Sequence, residues 1–482
     1  MEPMKRRDFL ATAASTAAAL SLPRLGPAAE TVRKPPNILL ILADDIGAKE
    51  LGCYGNTEHA TPNLDALARG GAMFKTCYVT PLCSPTRAET MTGRYAFRTG
   101  WYNLIGRPYA PKQGDPQWDL AKNEITHGML LKAHGYATAL AGKWQLPGEH
   151  PTLIHECGFD EYCMWAYAHN LPAGAEYTGG YESPGKTARY WHPSIVQNGE
   201  YIPTQPTDYG PDIHAQFLID FMKRHQDGPF FAYHPICLTH GPHEPTPDPN
   251  APGGKTEGGL KTNVEYMDKI VGRLIKAIDD LGIRQNTILF LIGDNGTGGQ
   301  GKGQVTELGV HVPLIVNCPG TVKAGLVSDE LVDGSDLFPT IAEFARADLP
   351  GDRVIDGRSF APILRGEKGN PREWIFSCLA TKHMLRDKRW LLEGNGKFYD
   401  CGDSRDGTGY RDVTGSNDPE VLVAKRRFAK ILEGLPAAEP RPEAEKQEAD
   451  LKAKRRAQTN RETKRAGQSG AKGQARSRQE DE

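Results

Sequence analysis

With 482 residues, the chain is long enough for one large α/β body with a smaller appendage, and for a core deep enough to hold a desolvated polar site. Its 58 Lys and Arg stand against 60 Asp and Glu, a balance that selects neither nucleic acid nor an anionic membrane as partner. The nine cysteines lack paired C-x-x-C spacing, which argues against structural zinc. Those other than Cys83 suffice for some disulfides or, equally, serve as small buried apolar side chains.

In chain order, residues 1–30 read as a twin-arginine export signal. Lys5-Arg6-Arg7-Asp8-Phe9-Leu10 precedes an Ala-rich run to Leu22 and small residues at Ala28-Ala29. The run is too short and too rich in Ala, Ser and Thr for a stable membrane span, and no later segment spans. The expected partner is the twin-arginine translocon, and the expected location periplasmic or extracellular. Asn37 to Ala43 is a continuous apolar run, as in a strand covered on both faces of a parallel sheet, and it ends abruptly at Asp44-Asp45. Thr61 to Gly70 predicts a helix whose first turn is pre-set by Pro62. Further strands are predicted at Phe230–Tyr233, Thr287–Ile292 and Val312–Val316, with helices at Asp212–Arg224 and Asn263–Leu281. The alternation predicts an α/β body over 36–349, with polar sites beyond the carboxyl ends of its strands. From about Pro350 short strands with turns (Trp374–Ala380, Lys388–Leu392, Lys397–Tyr399) predict a small antiparallel subdomain to 435. Residues 437–482 hold one large aliphatic residue, Leu451, and no aromatics, and read as a disordered charged tail; a solvated helix over Glu443–Arg456 is the alternative.

The chemistry concentrates at strand ends. Asp44, Asp45, Asp294 and Asn295 offer only oxygen ligands, which suit Ca²⁺ or Mg²⁺ better than zinc, although each pair alone is also a common turn or cap. In Cys83-Ser84-Pro85-Thr86-Arg87 a helix starting near Pro85 puts Arg87 one turn from Cys83. Gly142-Lys143-Trp144-Gln145, Thr239-His240-Gly241-Pro242-His243 and Gly301-Lys302-Gly303 add cations and histidines. Tyr and Trp residues between Tyr162 and His192 stack on sugar or aryl rings, or pack among themselves.

The Cys83 segment, followed by Thr92-Gly93-Arg94, resembles the C-x-P-x-R and T-G-R motifs of the sulfatase family, the formylglycine-dependent, arylsulfatase-like type. The resemblance runs over roughly residues 36 to 400. It implies an alkaline-phosphatase-like fold, with a large mixed, mostly parallel sheet flanked by helices. It also implies conversion of Cys83 to Cα-formylglycine by a formylglycine-generating or sulfatase-maturing enzyme. One Ca²⁺ would sit on Asp44, Asp45, Asp294, Asn295 and the converted residue 83. Arg87 would clamp the nucleophile or a metal carboxylate, Lys143 contact the sulfate, and Lys302 face the ester oxygen. His240, the H-x-P histidine nearer the strand end, would bind a sulfate oxygen or protonate the departing alcohol. Gln145 stands where the family carries a histidine that takes the proton in sulfate expulsion, a role an amide cannot fill. Leu308 and His311 replace a family Gly and Arg. The implied reaction is hydrolysis of a sulfate monoester, on a sulfated small molecule or polysaccharide. The alternatives are a phosphate or phosphonate monoester hydrolase, and a non-catalytic binder of sulfated glycans.

Overall fold

The first apolar run forms strand β1 (Asn37–Ala43), every residue of which is buried. Ile38, Leu40 and Leu42 enter the core on one side of the sheet, and Leu39, Ile41 and Ala43 the core on the other. Two-sided burial is why the run is unbroken by polar residues. The computed structural model describes residues 34–147, 154–166, 188–405, 407–451 and 453. The expected export signal, residues 1–30, lies outside them.

Around β1 the sheet holds β2 (Ala72–Tyr78), β3 (Ala137–Gly142), β4 (Glu161–Trp165), β5 (Ile195–Gln197), β6 (Glu200–Ile202), β7 (Phe230–His234), β8 (Thr287–Gly293), β9 (His311–Asn317), β10 (Leu326–Ser328) and β11 (Val332–Asp333). Their order is β10-β2-β9-β8-β1-β7-β3-β4-β5-β6, with β11 also paired to β2. Pairing is parallel through β8-β1-β7-β3-β4 and antiparallel where β9 meets β8 and β2. The sheet is therefore mixed and mostly parallel at its centre, as expected.

Helices α1 (Pro62–Gly70), α4 (Gly210–Arg224) and α5 (Leu260–Asp280) cover one face. In α5, Val264, Met267, Ile270, Val271, Leu274 and Ile278 recur at helical spacing and form the buried stripe. The N-terminus of α1 is capped from α5, since the Asp268 carboxylate accepts the Leu64 N–H at 2.8 Å. Helices α2 (Cys83–Thr92), α3 (His127–Ala133) and α6 (Leu337–Ala345) cover the other face.

Beyond the body, β12 (Ile375–Leu379), β13 (Lys382–Arg386), β14 (Trp390–Leu392), β15 (Phe398–Asp400) and β16 (Arg411–Asp412) form an antiparallel sheet. Helix α7 (Pro419–Leu432) packs on it through Val421, Ala424 and Phe428. Buried Glu307 ties this sheet to the body. It accepts from Tyr78 at 2.7 Å and pairs with Arg386 at 3.4 Å.

Residues 442–451 are helical, overlapping the stretch for which the sequence left a helix as the alternative to disorder, and the chain there packs on the body. The Arg441 N–H donates to the Tyr109 hydroxyl at 3.1 Å, and Ala444 is 6% exposed. The small side chain and the backbone make this contact, so the absence of large aliphatic residues did not forbid it. The cysteines carry no disulfide, and all but Cys53 are buried, which is the apolar alternative. Among the described residues no helix is long and apolar enough to cross a membrane.

Candidate active site

Strands β1 and β8 run side by side in register, Ala43 opposite Gly293, so Asp44-Asp45 and Asp294-Asn295 leave the sheet together. The Asp45 N–H donates to the Asp294 carboxylate at 3.0 Å, and the Asn295 amide donates to Asp45 at 2.9 Å. Asp45 has φ 58°, a left-handed conformation that short polar residues tolerate better than most. A second loop closes over the pair. The Thr239 N–H donates to the Asp44 carbonyl at 2.6 Å, and its hydroxyl to the Asp45 carbonyl at 3.2 Å.

Helix α2 begins at Cys83, which is 1% exposed, and aims its sulfur at these side chains. Sγ lies 3.3 Å from Asn295 Oδ1, 3.5 Å from Asp44 Oδ1, 3.9 Å from Asp45 Oδ1 and 3.3 Å from Lys143 Nζ. Burial, then the Asp294 charge, pushes the Cys83 thiol up to about 12. One turn on, Arg87 is fully buried and donates to Asp294 at 2.9 Å and to the Lys143 carbonyl at 2.7 Å. The helical spacing read from the sequence thus places its guanidinium on the Asp294 carboxylate and behind the lysine.

Lys143 leaves the carboxyl end of β3 and meets Asp44 at 2.5 Å. Lys302 approaches from the loop after β8 and meets Asp45 at 2.6 Å. Burial opposes the Lys302 ammonium, but Cys83, Asp45 and Asp44 hold its pKa above the usual lysine range. His240 Nε2 is 3.7 Å from Asp45, on the open side of the cluster with 23% of its side chain exposed. His243 turns back to the Thr239 carbonyl, so His240 is the H-x-P histidine in the site. Burial, then Lys143 and Arg189, holds His240 well below the usual imidazole range.

Oxygen, sulfur and imidazole atoms of Asp44, Asp45, Cys83 and His240 lie within 4.8 Å of one another. Burial alone would raise the Asp44 carboxyl, yet Lys143, His240, Arg87 and Lys302 hold it well below the usual carboxylate range. Asp294 goes the other way, raised by burial and by the Asp44 charge beside it. Facing carboxylates with one pushed up mark a place that takes more positive charge. The oxygen donors Asp44, Asp45, Asp294 and Asn295 fit a hard divalent cation.

Gln145 differs from the other expected site residues. It has φ 54°, and its carbonyl accepts from the Ser84 hydroxyl at 2.9 Å, but its buried Oε1 has no hydrogen-bond partner among the described residues. His311 stacks on Tyr78 at 5.2 Å and faces the Glu307 clasp, while Leu308 is 50% exposed. Sequence reasoning missed Thr239, although it adjoins the expected His240. It also missed Arg189, whose guanidinium lies 2.6 Å from His240 Nδ1 and for which no motif gave a signal.

A family model described as Sulfatase matches residues 36–347. Steryl-sulfatase of Mus musculus is 32% identical over 466 residues, covering 80% of this chain and 74% of that protein. N-acetylgalactosamine-6-sulfatase of Canis lupus familiaris is 34% identical, covering 72% and 69%. The crystal structure of Ps i-CgsB in complex with k-i-k-neocarrahexaose superposes with a TM-score of 0.67 at 24% identity, over 82% of this chain and 92% of that one. At that identity the likeness speaks for the fold, which is the alkaline-phosphatase-like arrangement.

Proposed function

This chain belongs to the sulfatase family and is a sulfuric ester hydrolase, and we propose that it acts through formylglycine at position 83 with one Ca²⁺. The observation that carries this reading is the convergence of Cys83, Arg87, Lys143, Lys302 and His240 on Asp44, Asp45, Asp294 and Asn295. A sulfate monoester is an anion, so its sulfur is reached only where its oxygens are neutralised. Asp44, Asp45, Asp294 and Asn295, with residue 83, would hold the ion, and a bound Ca²⁺ would supply charge to the sulfate oxygens. The hydrated aldehyde at position 83 would supply the attacking hydroxyl. Lys143 and Lys302 approach that position from β3 and from the loop after β8, Lys143 toward the sulfate and Lys302 toward the ester oxygen. Arg87 fixes Asp294 and the backbone of Lys143 in place. His240, on the exposed side, meets the leaving oxygen or a sulfate oxygen. Gln145 has no lone pair basic enough to take a proton.

The substrate class we infer is a sulfated carbohydrate or aryl sulfate. N-acetylgalactosamine-6-sulfatase among the relatives supports the carbohydrate ester. We also infer export by the twin-arginine route, from residues 1–30. All of α2 is buried, so a maturing enzyme needs the Cys83 segment before the fold closes.

Two measurements test the reading together. Mass spectrometry of the peptide containing Cys83, from protein made beside a maturing enzyme, is expected to show the mass of formylglycine. Cys83→Ala is expected to abolish turnover of an aryl sulfate. Full activity with unmodified Cys83 would refute the mechanism, and faster turnover of matched phosphate esters would move the chain to the phosphate or phosphonate reading. A fully converted chain that binds sulfated glycans but cleaves none would be the non-catalytic binder.

A further inference from the structure

We propose that Arg189 is a positioning residue that fixes the tautomer of His240, so that Nε2 carries the ring proton and presents it to the reaction centre. The proposal rests on the placement of His240 at the leaving or sulfate oxygen given above. Arg189 NH1 lies 2.6 Å from His240 Nδ1. A guanidinium has N–H donors only and stays protonated, so this contact is a hydrogen bond only if Nδ1 offers its lone pair. The proton of a neutral ring then sits on Nε2, the nitrogen that faces Asp45 at 3.7 Å.

One contact competes. His240 Nδ1 is also 2.5 Å from the Gly241 carbonyl, which would require an Nδ1–H donor. The two contacts demand opposite tautomers. With Nδ1 protonated, a cationic N–H would face another N–H at 2.6 Å; with Nδ1 bare, its lone pair faces the neutral Gly241 carbonyl at 2.5 Å, a repulsion between dipoles that the charge-assisted bond from Arg189 outweighs. Arg189 is itself held, because its guanidinium lies 4.4 Å over the Trp165 ring. The next residue reinforces the arrangement, since the Tyr190 hydroxyl donates to the carbonyl of His240 and, at 3.1 Å, to that of Cys237. Adjacent residues thus grip the ring and the backbone of the same histidine. The cations Lys143 and Lys302 and the carboxylates Asp44 and Asp45 face the ring from the other side.

The test is a leaving-group series crossed with a double-mutant cycle. Esters of phenols from 4-nitrophenol to 4-methoxyphenol are assayed with wild type, Arg189→Met, His240→Ala and the double variant. An Nε2–H that supports the leaving oxygen matters little for an acidic phenol and much for a weak one. Arg189→Met is therefore expected to cost less than about threefold in kcat/KM with the former and more than about tenfold with the latter, the scale of one well-aligned hydrogen bond. In the His240→Ala background, Arg189→Met is expected to change little. Arg189→Gln keeps an N–H donor and should recover part of the slope, and Arg189→Leu, which has no donor, replaces Arg189→Met in the cycle if that variant does not fold. An equal loss across the series, or losses that multiply in the double variant, would show Arg189 acting on the substrate directly and overturn the proposal. A series unmoved by His240→Ala alone would overturn the placement of His240 as well, and so separates the two failures.

Discussion

His127 is fully buried, and neither ring nitrogen has a hydrogen-bond partner among the described residues. Its ring meets Phe231 at 4.8 Å, Tyr233 at 5.2 Å and Phe159 at 6.1 Å, all edge to face. Burial holds its pKa down to about 3, against the usual imidazole value of about 6.5. Above about pH 6.5 neither the folded nor the unfolded chain protonates this ring, and it adds no pH dependence. Between there and about pH 3 the unfolded state binds a proton that the folded state refuses, so stability falls as pH falls, by about 1.4 kcal/mol per unit. At about pH 5 the loss is about 2 kcal/mol from this residue alone. His127→Phe keeps the edge contacts and removes both unpaired nitrogens, so it should gain about 1 kcal/mol near neutral pH and about 2 kcal/mol more at about pH 5. Urea unfolding followed by circular dichroism at several pH values gives the difference between the two chains, in which the carboxylates they share cancel. A difference that stays constant from neutral pH to about pH 5 would refute the reasoning, because it would mean that the ring is protonated or solvated in the folded state. His214 and His234, buried with values of about 3 and 4, should add to the same acid sensitivity.

Chelation should lower the melting temperature and turnover together, since Asp44, Asp45 and Asp294 would be left facing one another; unchanged melting in excess chelator removes the metal assignment. With an activated aryl sulfate, phenol release should run ahead of sulfate release because Gln145 offers no base, and Gln145→His should speed the slower step while leaving the initial burst alone. A rapid-mixing trace without a burst, from fully converted protein, would mean that another group serves. Ending the chain at Pro436 should cost roughly 1–2 kcal/mol, through loss of the Tyr109 contact and the burial of Ala444. A thermal scan that places the truncated and full chains at the same midpoint would refute that.

The legible parts were those in which sequence and burial speak the same language. Strands β1 and β8 are buried on both faces, so their apolar runs and the acidic pairs that end them stood out. Arg87 followed from helical spacing. Strand β2 did not, because exposed Lys75 and buried Thr76 break its pattern while β9 supplies its pairing from far along the chain. For the segment from 437 composition left disorder and a helix both open, because it counts large side chains, whereas Arg441 and Ala444 pack through a backbone N–H and a methyl group. Arg189 was invisible for a different reason: its significance is a single contact with a residue 51 positions away.

The distance along the chain between the parts of the site also sets a clock. The Cys83 sulfur contacts Asn295 across 212 positions, and Asn37 at the start of β1 waits 193 positions for β7 to be made beside it. At roughly 5–20 residues per second, synthesis takes roughly 10–40 s to pass from Cys83 to Asn295. Throughout that interval α2 has no finished pocket to enter, and its cysteine remains within reach of another protein. Slowing translation after residue 83 would lengthen the interval, and a faster ribosome would shorten it, without altering a single side chain of the folded enzyme.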